Sequence, residues 1–391
     1  MAAGRCAEIG CQGRAQAFIY TAGINALLED LKRMANATPV SPRPLIVRCG
    51  AFGDMVLLTA LIRPLHQRFG MPVDIVTSGP WSVPLLKGQP GVGEIYGIRS
   101  RKTPYWLSLD QQRVVRQLRA RGLGPTWYCD GNNASLPILQ RAGISESFIV
   151  FAKDHDLKPG EHATEQWRRL AQIVPAAFAH SAPPLDISAI PPGCCIKVGA
   201  QQRQELMPWL AARRIAAEAL IAIQIGNKRT MRRGFKRLAP NTKHWPLARW
   251  AEVLRFLRAR HPAHALVLLG TGPERQLNDE LIALANVTGV HNVADDLPIP
   301  RLMALLQRAV GLVTVDSGPA HAAAAVGCPQ VVLFGKASPS LYRPWGSAGA
   351  DVKVICGEVG GQPDMLGISS AAVTAAWAEL ALRPPNAAYP A

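Results

Sequence analysis

Short apolar runs alternate along this chain with longer stretches in which apolar residues recur every three to four positions, the pattern of strands and helices in turn. Leu45-Ile46-Val47 is the first such run. It leads through Arg48-Cys49-Gly50-Ala51-Phe52-Gly53-Asp54 into a helix predicted over 55–69. Strands follow at 72–76, 93–98, 127–129 and 148–150, with a basic helix at 114–121 and another helix at 163–173. A second series begins near residue 217, with strands at 219–225, 265–269, 311–315 and 330–334 and helices at 247–260, 300–308 and 370–382. Strands alternating with helices predict an α/β fold of two domains, each a Rossmann-like parallel sheet. The expected divisions are an extension and linker at 1–43, a first domain at 44–180, a Pro/Ala-rich linker at 181–216, a second domain at 217–368 and a terminal helical segment at 369–391. Ile24, Leu27, Leu28 and Leu31 in the extension have the spacing of a short amphipathic helix.

Chemistry enters where strands end. Leu312 to Gly335 reads LVTVDSGPAHAAAAVGCPQVVLFG: strand, tight turn, small-residue helix, strand. In the turn, Asp316-Ser317-Gly318-Pro319, Ser317 is placed to cap the helix, Gly318 lets a ligand approach the backbone and Pro319 suits the first helical turn. His321 adds a donor. Free N–H groups at a helix start favour phosphate, yet the same residues also make an ordinary capped turn, and both readings stand on local grounds. Gly53-Asp54 has the same ambiguity. A carboxylate opening a helix after a strand can act as general base in the crevice of an open sheet, or simply close the helix end.

Two further turns are candidates. Gly226 to Lys243, GNKRTMRRGFKRLAPNTK, follows a strand and contains no acid. It can hold a diphosphate or be a solvated charge run. Lys243 stands where it would neutralise phosphate, just before a helix opened by Pro246. Gly270-Thr271-Gly272-Pro273-Glu274 is another strand-to-helix turn, with Glu274 placed to accept ribose hydroxyls. It lacks a full GxGxxG, which argues against a nicotinamide enzyme. Walker, HExxH, GxSxG and DxD motifs are absent, and the other histidines, His162 included, show no ligand spacing.

Composition narrows the class. The chain has 391 residues and 48% hydrophobic content, as in a globular protein, and no apolar run near the roughly 20 residues that span a bilayer. No signal-peptide pattern is read at the N-terminus, so a cytoplasmic location is expected. Eight scattered cysteines form no CxxC or zinc spacing. The net charge of +16 calls for an anionic partner: nucleic acid, an acidic membrane surface or a phosphorylated substrate. A non-catalytic basic protein on this scaffold would account for the charge but not for Gly53-Asp54 together with the Asp316 turn.

In order along the chain, GDMVLLTALIRPL from Gly53, TKHWPLARWAEVL from Thr242, GTGPER from Gly270 and VDSGPAHAAAAVGCPQVVLFGKASP from Val315 resemble glycosyltransferase family 9, the lipopolysaccharide core heptosyltransferases. The resemblance implies a GT-B architecture: two Rossmann-like domains facing a central cleft, acceptor domain first and nucleotide-sugar domain second, with the last helix returning to the first. It implies inverting transfer of heptose from ADP-heptose to phosphorylated, Kdo-bearing lipid A. No metal or cofactor is expected at the diphosphate. Carried over by motif, Asp54 resembles the catalytic base and Lys243 the diphosphate ligand. Asp316, Ser317, Gly318 and His321 resemble the donor turn, and Glu274 the ribose contact. Arg48 and Gly53 fall on the acceptor side. Asn227 and Lys228 stand where the family usually has small hydroxyl residues, and they are read as donor contacts that depart from the pattern. The expected partners are a nucleotide sugar, an anionic lipid-linked saccharide and the inner-leaflet surface, with peripheral attachment and no nucleic acid. A relative using another nucleotide sugar, or a protein or other glycan as acceptor, is the alternative.

Overall fold

The computed structural model describes residues 43–216, 218–227 and 243–384. The amphipathic stripe at Ile24 to Leu31, Lys228 and most of the basic run after Asn227 lie outside the described residues. Each half of the chain builds one parallel sheet. In the first, β1 (Leu45–Val47), β2 (Val73–Ser78), β3 (Val92–Ile98), β4 (Thr126–Tyr128) and β5 (Ile149–Phe151) lie in the order β3-β2-β1-β4-β5. Ile46 stands opposite both Ile75 and Trp127, and all three are fully buried. In the second, β6 (Leu220–Gln224), β7 (Ala265–Leu268), β8 (Val290–Asn292), β9 (Gly311–Val315), β10 (Gln330–Phe334) and β11 (Val352–Cys356) lie in the order β11-β10-β9-β6-β7-β8. Every residue of β6, β9 and β10 is buried, as continuous apolar strands covered on both faces must be. Each sheet reverses its strand order once, between β1 and β4 and between β6 and β9. Crevices form at such switch points, outside the carboxyl ends of the strands.

The helices depart from expectation in three places. The single helix predicted over 55–69 is two, α1 (Phe52–Leu57) and α2 (Thr59–Phe69). The Thr59 hydroxyl donates back to the Val56 carbonyl at 2.7 Å, and Pro64 supplies no N–H to Ala60; both features bend a helix ladder. After α3 (Leu109–Arg121) and α4 (Ala163–Gln172), the expected linker at 181–216 contains α5 (Ala200–Ala212). Its Leu206, Trp209 and Leu210 are buried, and it packs on α8 (Ile299–Arg308), the helix that follows α6 (Leu247–Arg260) and α7 (Arg275–Ala285). Asp296 accepts from the Trp209 indole at 2.7 Å and from Arg213 at 2.8 Å, which hold its carboxyl down to about 2. The segment therefore belongs to the second domain rather than standing between two.

The last helix, α10 (Ser370–Ala378), does not return to the first domain. Val373, Ala376, Trp377 and Leu380 join the core of the second, beside Trp250 and Leu254 of α6. The Trp377 indole donates to His261 Nε2 at 2.9 Å, and its ring covers Gly311, where no β-carbon would fit. Beyond it the Arg383 amide donates to the Val310 carbonyl. The apolar stripe finds its hydrophobic partner next door, so this helix packs there.

The two sheets share a core. Ile46, Val73 and Ile75 of the first belong to the same buried cluster as Leu220, Ala222, Ala265 and Leu312 of the second. Residues 194–196 are strapped between the halves. Cys194 exchanges backbone hydrogen bonds with Trp345 and Ser347, Ile196 donates to Ala325, and Cys195 donates to the Thr59 hydroxyl at 3.1 Å.

Candidate active site

Asp54 lies on α1, one residue past Gly53, where β1 delivers the chain to the first switch point. The loop before it is held from several sides. The Cys49 amide donates at 2.6 Å to Asp130, a buried carboxylate at the end of β4 that also accepts from the Ser135 hydroxyl at 2.7 Å and from Arg101 at 3.2 Å. The Trp81 indole donates to the Gly50 carbonyl at 3.1 Å. Gly50 is required by contact, because a β-carbon there would lie 2.5 Å from that of Asp54. One Asp54 oxygen accepts the Ala51 amide at 2.8 Å, and the other pairs with Arg48 at 3.3 Å. Arg48 in turn donates to the Cys129 carbonyl and lies over the Trp167 ring at 5.7 Å. The Asp54 side chain is still 39% exposed. Its carboxylate thus closes the helix end and faces solvent at once, so the two local readings are compatible.

The Asp316 turn leaves β9 at the second switch point and opens α9 (Gly318–Ala325). Ser317 has the extended backbone of a cap residue, but its hydroxyl does not cap. It lies 3.3 Å from the Thr314 hydroxyl instead. The Lys243 ammonium donates to the Asp316 carboxylate at 2.6 Å and to its carbonyl at 2.8 Å, tying the segment before α6 to the turn. The Asn227 side-chain amide reaches the Lys243 carbonyl at 3.5 Å. Lys243, Asn227, Asp316 and Ser317 therefore converge where β6 and β9 end.

Gly53 and Gly318, expected on opposite sides of a cleft, touch each other. A β-carbon on Gly53 would stand 3.2 Å from the Gly318 α-carbon and 3.2 Å from His321 Cδ2, and one on Gly318 would stand 2.5 Å from the Phe52 ring. Two bare backbones let α1 and α9 meet, and this contact brings Asp54 and the Asp316 turn into one site. His321 lies at that contact, 7% exposed, with Nδ1 buried and without a hydrogen-bond partner. Burial pushes its pKa down to about 4, so the imidazole is neutral.

Glu274 is placed differently from expectation. It is buried, and Oε2 accepts the Thr271 amide and hydroxyl at 2.8 and 2.7 Å, forming a capping box. Oε1 receives the Gln224 side chain at 3.3 Å beneath Gly226, which has no β-carbon to block it. Burial raises its pKa. The residue is 4% exposed, with Oε1 the oxygen on the Gly226 side.

Two residues at the site carried no sequence signal of their own. Asp130 was legible only as the end of a strand. His162, at the start of α4, accepts the Thr164 amide on Nδ1 at 3.2 Å and so donates from Nε2 to the Arg343 carbonyl of the second domain at 2.8 Å. Its ring packs edge-on to Trp345 at 5.3 Å. It latches the halves together behind His321. Among the described residues, no group of three His, Cys, Asp or Glu side chains is placed to hold a metal ion.

Two Rossmann-like halves whose switch points meet at one site have the GT-B architecture of glycosyltransferases. Solved structures agree on the fold. The ADP-heptose lipopolysaccharide heptosyltransferase II of Escherichia coli superposes with a TM-score of 0.65 at 19% identity, covering 86% of this chain and 98% of that one. A glycosyl transferase family 9 protein of Veillonella parvula superposes at 0.68 and 18%, covering 88% and 98%. Residues 234–364 match the model of glycosyltransferase family 9 (heptosyltransferase). Lipopolysaccharide heptosyltransferase 3 of Escherichia coli is 24% identical over 307 residues, 75% of this chain and 83% of that protein. Over residues 234–364 the chain is thus similar to glycosyltransferase family 9, and the likenesses together indicate a transferase.

Proposed function

We propose that this protein transfers heptose from ADP-heptose to the phosphorylated, Kdo-bearing inner core of lipopolysaccharide, inverting the anomeric centre. The observation that carries the reading is the meeting of a half-exposed, fixed carboxylate, Asp54, with the Lys243–Asp316 turn through the Gly53–Gly318 contact. Asp54 takes the proton of the acceptor hydroxyl as its oxygen attacks the anomeric carbon. The bond from that carbon to the diphosphate breaks, and ADP leaves from the opposite face. Leaving-group charge falls to protein groups: the Lys243 ammonium, the first N–H groups of α9 and the Asn227 amide, with Lys228 beside it in sequence. Neutral His321 serves as a hydrogen-bonding partner at the turn rather than as a cation, Asp316 accepts sugar hydroxyls, and Glu274 meets the ribose through Oε1. Arg48, held beside Asp54, faces the anionic acceptor. No metal takes part in this reading, so EDTA is expected to leave transfer unchanged.

The test is transfer from ADP-heptose to a panel of truncated core acceptors, with Asp54→Asn alongside. The variant should bind donor normally and lose about 10²–10⁴-fold in turnover, the range for a general base. Full transfer by Asp54→Asn removes the base assignment. A wild-type enzyme that ignores ADP-heptose and uses another nucleotide sugar moves the donor.

A further inference from the structure

The segment joining β3 to α3 holds three large apolar side chains in water: Trp106 is 75% exposed, Leu107 58% and Leu109 79%. Other exposed large apolar residues, such as Met207 and Leu284, are far apart in the chain. The backbone that carries these three is secured. The Gln112 side chain donates to the Tyr105 and Trp106 carbonyls, each at 3.1 Å, and Gln111 donates to those of Ser100 and Thr103 at 2.8 and 2.9 Å. The exposure is built in by these bonds. Cations surround it. Leu109, Arg113 and Arg116 fall at i, i+4 and i+7 on the outer face of α3, all exposed, while Gln111, Val114, Val115 and Leu118 face inward. Arg99 and Lys102 are exposed on the preceding loop. The only acid between residues 99 and 119 is Asp110, occupied by the Ser108 hydroxyl and the Arg99 amide.

We propose that Trp106, Leu107 and Leu109, ringed by Arg99, Lys102, Arg113 and Arg116, dock this protein on an anionic lipid bilayer. Three side chains are too small a core for a stable protein interface, which covers about 800 Å² per partner. Apolar tips with a cationic collar match the boundary between headgroups and acyl chains, where Trp is favoured and Lys and Arg meet anionic lipid. The loop is also rooted at the site: Arg101 pairs with Asp130, which holds the Cys49 amide beside Asp54. Docking here would turn the Asp54 side of the site toward the bilayer. That orientation, though not the docking itself, rests on the proposed transfer to a lipid-linked acceptor.

The experiment is sedimentation of the full-length protein with vesicles of phosphatidylcholine, with and without phosphatidylglycerol. Wild type should bind the anionic vesicles, and the Trp106→Ser/Leu109→Ser double variant should lose at least about tenfold in partitioning. Arg113→Gln/Arg116→Gln should lose anionic binding and flatten its salt dependence. Both variants should melt as wild type does, and Trp106→Ser/Leu109→Ser should keep wild-type turnover on a soluble, delipidated acceptor. Absence of wild-type binding, equal binding by Trp106→Ser/Leu109→Ser, or loss of a dimer on sizing in place of vesicle binding would each overturn the proposal. A wild-type protein that docks but transfers no heptose removes the functional reading and leaves the docking surface standing.

Discussion

His321 shows at the residue scale how packing sets chemistry. An imidazole with an ordinary pKa of 6.5 is held neutral down to about 4 because α9 meets α1 over it. The unfolded chain binds a proton there between those values and the folded chain does not, so stability falls as pH drops from 6.5 towards 4. The slope from this group is at most about 1.4 kcal/mol per pH unit. Urea unfolding at stepped pH should show it, and His321→Asn should flatten the curve by that amount. Burial also lowers the pKa of His162, His261, His264 and His291, which add slopes of the same sign, so the wild-type-minus-variant difference is the quantity to read. Lys243→Ala acts through its partner. It leaves the buried Asp316 carboxylate without its ammonium as well as removing the proposed phosphate ligand. Donor affinity measured by titration calorimetry should fall by about 1–3 kcal/mol. Unchanged affinity would put the lysine outside the site.

At the scale of elements, the decisive contact is α1 on α9. Gly318→Ala places a β-carbon 2.5 Å from the Phe52 ring, so the helices must part or Phe52 must move. The expected cost is about 1–3 kcal/mol in thermal unfolding, as for overpacking elsewhere. Adding Phe52→Ala should recover part of it, and strict additivity of the two changes would mean that they do not meet. Most elements were legible because buried parallel strands are short apolar runs and their crossover helices are amphipathic. What escaped notice escaped for physical reasons. Pro208 in the middle of α5 reads as a break, although the buried Leu206, Trp209 and Leu210 anchor the helix on either side of it. Edge strands β8 and β11 are only half-buried and carry weak patterns. The partner of α10 could not be read from its own stripe, which fits either domain.

For the whole molecule, the shared core has a thermodynamic consequence. Ile46 and Leu220 belong to one buried cluster, and His162, Thr59 and the 194–196 strap link the halves by hydrogen bonds. Calorimetry should therefore give one cooperative transition; two resolved transitions would show that each half unfolds alone. Net charge belongs to this scale too. A surplus of +16 predicts association with anions that weakens with salt, whatever the chemistry of the cleft.

From its sequence alone this chain is an α/β protein of two similar halves, with candidate residues where strands end and a strong need for anionic partners. Those properties are local or additive: periodicity, turn chemistry and a sum of charges. Only the tertiary structure decides that Gly53 lies against Gly318, that Ser317 bonds Thr314 instead of capping, that Glu274 turns inward and that the last helix stays on the second domain. Each of these depends on which surfaces far apart in the chain come within van der Waals contact. No spacing within one segment encodes that distance.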